Sequence, residues 1–97
     1  MVIVRVFRAK PHAGMDKDFE QFLLETALPL MRRSTGCRDV VVGRTRWGGQ
    51  TEFVMVSRWD SIDSLKTFVG PEWQKPRILA EEAHLVKSVA VDHYDEI

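Results

Sequence analysis

The stretch from Phe53 to Pro71 restricts the fold of this chain more than any other part of its sequence. Apolar residues typical of a strand continue to Trp59, and a helical pattern begins at Ser61, which is a favourable N-cap residue. Gly70 and Pro71 then end the helix. A strand that passes within two residues into a helix predicts a small domain in which helices pack on a sheet.

The remaining sequence predicts the element order β-α-β-β-α-β. Runs of Val, Ile and Phe predict four strands, at residues 2–9, 39–46, 51–59 and 86–94. Gly48 and Gly49 predict a hairpin turn between the second and third strands. A first helix follows the periodicity from Met15 to Met31, and Pro29 is expected to kink it in the preceding turn. A further short helix is predicted over residues 77–83.

This order is that of the ferredoxin-like split βαβ arrangement, an α+β fold. It predicts a four-stranded antiparallel sheet with both helices on one face. The chain has 97 residues, which suits a single domain over residues 1–97.

The composition excludes some classes of partner. Lys and Arg number 14 and Asp and Glu number 14, so the formal charge is zero, which argues against a nucleic-acid or anionic-membrane binder. Cys37 is the only cysteine, so no internal disulfide is expected. The first residues predict a strand rather than a signal peptide, and no apolar run is long enough to span a membrane. We therefore expect a soluble cytoplasmic protein.

Both faces of the predicted sheet carry apolar side chains. The residues that show this are Val2, Val4 and Val6 opposite Ile3, Phe7 and Ala9, and Phe53 and Met55 opposite Val54 and Val56. A sheet with one wet face would instead alternate apolar and polar residues. We therefore expect a homodimer in which the second subunit covers the face without helices, the alternative being an exposed apolar surface.

The segment from Phe53 to Phe68 resembles the core signature of the antibiotic biosynthesis monooxygenase domain family. The other stretches that carry the resemblance are Gly14 with Phe19, residues 35–37 and residues 91–94. The resemblance implies a dimeric α/β barrel built from two ferredoxin-like units joined sheet to sheet. Some members of the family oxygenate aromatic polyketides without metal or flavin, some degrade haem, and many have no known activity.

This sequence departs from both functional patterns of that family. The haem-degrading members use an Asn on the first strand, a Trp on the second helix and a His just after it. Here the first strand has no Asn, Phe68 stands closest to the Trp position, and the nearest His is His84. The cofactor-free oxygenases bring a Trp, an Asn, Tyr residues and an Arg to a pocket, but this chain has no Asn and only one Tyr, Tyr94.

His84 and His93 are the candidate catalytic bases, because histidine titrates near neutral pH. Either could take a proton from a phenolic substrate and leave an electron-rich anion that reacts with oxygen. The alternative for His93 is a hydrogen-bonded histidine inside the barrel or at its rim, and for His84 a loop residue before the last strand. The three His and one Cys lack metal-ligand spacing, so we expect no metal and no cofactor.

Five residues are candidates for binding a small aromatic molecule, namely Trp59, Phe68, Trp73, Arg77 and Tyr94. Trp73 could stack on the ligand while Arg77 binds an oxyanion or enolate. Trp59 could form a pocket wall or anchor the core, and Tyr94 could donate a hydrogen bond or anchor the last strand.

Three arginines also interrupt apolar strands, namely Arg5, Arg44 and Arg58. Their charges must be paired or reach water. Salt bridges across the dimer are one account, and an anionic ligand in the barrel is the other.

Three hypotheses follow. The leading one is a cofactor-independent, monooxygenase-like enzyme that acts on a small aromatic or quinol-like substrate. The second is a non-catalytic dimeric domain that binds a small molecule or serves a stress response. The third is a protein that binds and degrades haem.

Overall fold

The computed structural model describes residues 1–97 and contains one four-stranded sheet. Its elements are β1 (Ile3–Pro11), α1 (Asp16–Phe22), a π-helical turn (Leu23–Ala27), α2 (Leu28–Arg32), β2 (Cys37–Arg44), β3 (Phe53–Trp59), α3 (Ile62–Val69) and β4 (Val86–Asp95). The strands lie in the order β2-β3-β1-β4, and every neighbouring pair is antiparallel. The predicted ferredoxin-like α+β fold is confirmed.

The core lies between the helices and one face of the sheet. Residues of β1 alternate, so that Ile3, Arg5, Phe7 and Ala9 are buried while the even-numbered residues between them are partly exposed. The register aligns Phe7 with Met55, and β3 alternates in the same way. The helices cover this face with buried Phe19, Leu23, Met31 and Leu65, among others. The period-two pattern thus decides which half of each strand is removed from water.

The first helix is interrupted just before Pro29. Pro29 has no N–H to donate to the carbonyl of Glu25, and its ring crowds that carbonyl. The chain forms a π-helical turn here, in which the Leu28 N–H donates to the carbonyl of Leu23, five residues earlier. The sequence predicts a kink at this place, and the structure has the wider turn instead.

The junction between β3 and α3 has the predicted cap. The Ser64 N–H donates to Ser61 Oγ at 3.1 Å, which satisfies one of the free donors at the helix start. Gly70, with φ of 95°, ends the helix. Gly36 passes close by with φ of 87°, and a Cβ there would lie 2.3 Å from Ser64 Oγ, so only glycine fits.

The predicted hairpin between the second and third strands is confirmed with a longer loop, whereas the predicted short helix is wrong. Residues 77–83 form no helix, because the bonds in this segment join residues three apart, from the Glu82 N–H to the Leu79 carbonyl and from the Leu85 N–H to the Glu82 carbonyl. The β2–β3 connection spans residues 45–52 rather than a tight Gly-Gly turn, and the Thr45 N–H bonded to the Glu52 carbonyl closes it. No helix here is both long and apolar enough to cross a bilayer.

The sheet face without helices is called here the outer face. Its centre carries valine side chains from three strands, namely Val4, Val6, Val41, Val54 and Val56. Ion pairs flank them. Arg8 binds Asp92 at 2.8 Å, and Arg58 binds Asp39 at 2.8 Å and Glu96 at 2.6 Å. The outer face therefore has an apolar centre and a charged edge.

Candidate active site

A cavity of about 50 Å³ lies between the helices and the inner face of the sheet. Most of its lining is apolar and comes from every layer of the fold, namely Phe7 and Met55 of the sheet, Leu23, Ala27, Leu30, Met31, Phe68 and Val69 of the helical layer, and Leu79 of the segment after α3. The exceptions are Arg5, Arg77 and Glu82. An apolar space with a few convergent polar groups is the usual form of a small-molecule site.

Arg5 lies on the sheet side of this cavity. Its side chain points to the same face as Phe7, and only 4% of the residue is exposed. It forms no ion pair, and its buried Nε has no hydrogen-bond partner. Burial lowers the pKa of Arg5 to about 10, so the guanidinium is still charged at neutral pH. The central carbon of the guanidinium lies 5.5 Å from the Phe7 ring centroid, the only favourable contact found for its charge.

Glu82 reaches the same cavity from the turn before β4. It is 4% exposed, and the Leu79 N–H donates to its Oε1 at 2.9 Å. Burial raises the pKa of the Glu82 carboxyl, against the opposing effect of that hydrogen bond, and the charge of Glu81 raises it further. A carboxylate with a raised pKa accepts a proton more readily than one in water.

Phe68 and Arg77 lie at the edge of the cavity, as the sequence predicts for residues near a site. Arg77 Nη1 donates to the Phe68 carbonyl at 2.5 Å, which ties the segment after α3 back to the helix. Both residues, with Leu30, also line a wider cleft of about 310 Å³ beside it. The two spaces therefore adjoin through Phe68 and Arg77.

Trp73 and His93 form a pair next to the cavity. Their rings meet edge to face with centroids 4.9 Å apart, and the β1–β4 register sets His93 opposite Arg5. Nε2 of His93 is buried without a hydrogen-bond partner. Burial lowers the pKa of His93, and the charge of Arg5 lowers it further against the opposing effect of Asp92. Neither ring is among the residues that line the cavity.

Trp59 lies in the core behind the cavity. It is fully buried, and its Nε1–H donates to Ser57 Oγ at 2.9 Å. Its ring lies 5.2 Å from that of Phe68, centroid to centroid. Trp59 therefore supports the cavity wall through Phe68 and does not face the cavity itself.

The sequence model of the antibiotic biosynthesis monooxygenase family matches residues 1–75. The chain belongs to this family. The match covers the first three strands, α3 and the segment up to Lys75, and it confirms the resemblance carried by residues 53–68. No curated protein matches the sequence significantly.

Solved structures of this fold are similar over almost the whole chain. Rv0793 from Mycobacterium tuberculosis superposes with a TM-score of 0.77 at 22% identity, over 100% of this chain and 96% of the other. A Bordetella bronchiseptica protein has a TM-score of 0.72 at 25% identity, over 99% and 97%. SnoaB, a cofactor-independent oxygenase from Streptomyces nogalater, has a TM-score of 0.74 at 17% identity, over 99% and 93%.

Two of the predicted site residues of this chain, His84 and Tyr94, lie away from its cavity. His84 is exposed in the turn before β4 and does not line it. Tyr94 is 52% exposed and pairs in register with Val4, so it belongs to the outer face. Adjacent residues of a strand point to opposite faces, and for that reason His93 and Tyr94 cannot serve the same site within one chain.

Of the two buried charged residues that line the cavity, the sequence carries a signal for Arg5 but not for Glu82. Arg5 shares the odd-numbered alternation of Ile3 and Phe7, and this spacing was the available signal that it points inward. The sequence contains no comparable signal for Glu82, which follows Glu81 and resembles a solvated acidic pair. No group of three or more His, Cys, Asp or Glu side chains is arranged to hold a metal ion.

Proposed function

We propose that this protein is a cofactor-independent oxygenase that acts on a small aromatic or quinol-like molecule in the cavity beside Arg5. The observation that carries the proposal is the joint presence of a buried proton acceptor, Glu82, and a buried cation in an apolar cavity of a fold from this family. The family likeness to SnoaB supports the reaction class.

The proposed reaction begins with the loss of a proton from the substrate to Glu82. The raised pKa of the Glu82 carboxyl favours that transfer, and the resulting anion is electron-rich enough to react with dioxygen. One oxygen atom becomes the carbonyl of the product at a former methylene carbon. The second oxygen atom leaves as water with the two hydrogens of that carbon, so dioxygen is the oxidant and no other reductant is needed.

His93 is the second candidate for the base. Its lowered pKa keeps the ring neutral at neutral pH, so it could accept a proton. Unlike Glu82 it does not line the cavity, and it lies beside Arg5 on the neighbouring strand. In this proposal His93 is a neutral neighbour of Arg5, and its contact with Trp73 fixes the orientation of the His93 ring.

The test is oxygen uptake over a panel of anthrones, which carry the methylene carbon that the proposed step oxidises. We expect turnover with at least one compound, and we expect Glu82→Gln to lower it by roughly a hundredfold or more because the amide cannot accept the proton. His84→Gln is the matched control and should turn over like the unaltered protein, since His84 is exposed.

Full activity of Glu82→Gln would contradict the assignment of the base. Tight binding of panel compounds without any oxygen uptake would instead favour the alternative of a non-catalytic binding domain. The structural basis for that alternative is that no histidine lines the cavity.

The proposal includes a homodimer joined through the outer face. Its support is the row formed by Val41, Val56 and Val6, which stand opposite one another on three adjacent strands. The Val41 residue is 63% exposed in the single subunit. An apolar centre with a charged edge is the usual composition of an interface between subunits.

A further inference from the structure

We propose that Arg5 is an anion receptor and that the cavity takes a small aromatic acid as its monoanion, a phenolate or an aromatic carboxylate. This inference names the substrate class of the proposed oxygenase and rests on that function. It starts from the one strand arginine whose charge the fold leaves unpaired.

The strand arginines differ in whether an acidic side chain pairs with their charge. Arg58 on the outer face has two carboxylate partners, and Arg44 pairs with Glu20. Arg5 on the inner face is almost fully buried, and no side chain or carbonyl accepts a hydrogen bond from its Nε. A charge removed from water without a partner is strongly unfavourable, so this arrangement is stable at a site only if a ligand can complete it.

Glu82 does not supply the missing partner. Both residues line the cavity, yet no salt bridge joins them. Burial alone lowers the pKa of Arg5, whereas a carboxylate in contact would raise it. The guanidinium therefore remains available to a group that enters the cavity. Its planar set of donors matches a carboxylate or a phenolate better than a single point charge would.

The surroundings of Arg5 specify the rest of the ligand. The Phe7 ring lies 5.5 Å from the guanidinium carbon, and the neighbouring wall is apolar. The cavity volume of about 50 Å³ is enough for a few waters, since roughly 10–15 Å³ holds one, and so suits only a small acid group with part of one ring. The remainder of the ligand would extend past Phe68 and Arg77 into the adjoining cleft.

The test compares two probes of nearly equal shape, benzoate and benzamide, by isothermal titration calorimetry. We expect benzoate to bind roughly tenfold more tightly or better, since only the carboxylate forms charge-assisted hydrogen bonds. Arg5→Met should remove this preference, and Arg5→Lys should keep part of it because it keeps the charge. Arg44→Met is the control and should keep the whole preference, because Arg44 lies outside the cavity.

A spectroscopic measurement covers the phenolate. Bound para-nitrophenol should ionise at lower pH than the free compound, and its absorbance reports this directly. In Arg5→Met the bound compound should ionise at the same pH or higher, as expected in an apolar site. Arg5→Met should also melt at higher temperature than the unaltered protein without ligand, because it replaces an unpaired buried charge with an apolar side chain of similar length.

Equal binding of benzoate and benzamide by the unaltered protein would overturn the inference, as would an undiminished preference in Arg5→Met. If Arg5→Met fails to fold, a lost preference in Arg5→Gln takes its place as the deciding result. Neither probe has to react with oxygen. A preference for benzoate without oxygen uptake therefore supports Arg5 as an anion receptor and contradicts the proposed oxygenase activity. Oxygen uptake without any preference for the anion supports the oxygenase activity and contradicts the anion receptor.

Discussion

Three titratable side chains at or beside the cavity are removed from water to different degrees, with Arg5 and Glu82 buried and His93 partly buried. Arg5 and His93 have buried nitrogens without partners, and burial raises the pKa of Glu82. The other arginines of the strands are paired, as Arg8 and Arg58 illustrate. Titratable groups that are buried without full partners lower the stability of the folded protein. Their concentration in one region is expected where binding or catalysis requires such groups.

His93 should make the folding stability depend on pH. Its pKa in the folded protein lies below the usual 6.5, so the unfolded chain binds the proton more readily in the window beneath 6.5. Stability should therefore fall as the pH drops through that window. The loss should stay below about 1 kcal/mol because the ring is only partly buried.

Urea unfolding of the unaltered protein and of His93→Gln, measured above and below this window, checks the expectation. The gap in free energy of unfolding between the two should shift in favour of His93→Gln at the lower pH. His12→Gln is the control, since His12 is exposed in a loop. A gap that does not change with pH would show that His93 ionises freely in the folded state.

At the scale of the elements, the junction from β3 to α3 depends on a local cap. Ser61→Ala removes the acceptor for the Ser64 N–H and should lower the free energy of unfolding by about 1 kcal/mol. Ser61→Asp keeps an acceptor at the same position and should retain most of the stability. Chemical denaturation of both variants measures the difference. Equal loss in both would mean that the cap contributes little here.

Sequence reasoning recovered this junction because each of its determinants is local. The alternation up to Trp59, the cap at Ser61 and the stop at Gly70 are each visible within a few residues. The conformation of the segment between α3 and β4 is not determined by such local signals. Its turns depend on tertiary contacts, such as the bond from Arg77 to the Phe68 carbonyl, which no local pattern encodes.

The candidate site was recovered only in part for the same reason. Phe68 and Arg77 were found because they follow the helix stop and stand where loops commonly line sites. Glu82 was missed because its burial results from the path of the chain and not from its neighbours in sequence. His84 and Tyr94 were chosen by residue type, and their placement depends on the turn and on the strand face.

At the scale of the whole molecule, the outer face should decide the assembly. Val6 lies at its centre, opposite Val56, so Val6→Glu would bury a charge between two subunits. We expect the unaltered protein to sediment as a dimer at micromolar concentration and Val6→Glu to sediment as a monomer. Lys17→Glu, on the exposed surface of α1, should remain dimeric. A monomeric unaltered protein would remove the dimer from the proposal.

The lining of the cavity depends on the number of residues in the π-helical turn. Leu23 and Ala27 belong to that turn, and Leu30 and Met31 follow it, so four lining residues depend on its extra residue. Each residue of an α-helix rotates the next by about 100°. Loss of a single codon within this turn would rotate Leu30 and Met31 by that angle relative to α1 and so turn them away from the cavity. Descendants of this gene could thus change the ligand they admit while keeping every residue that now faces it.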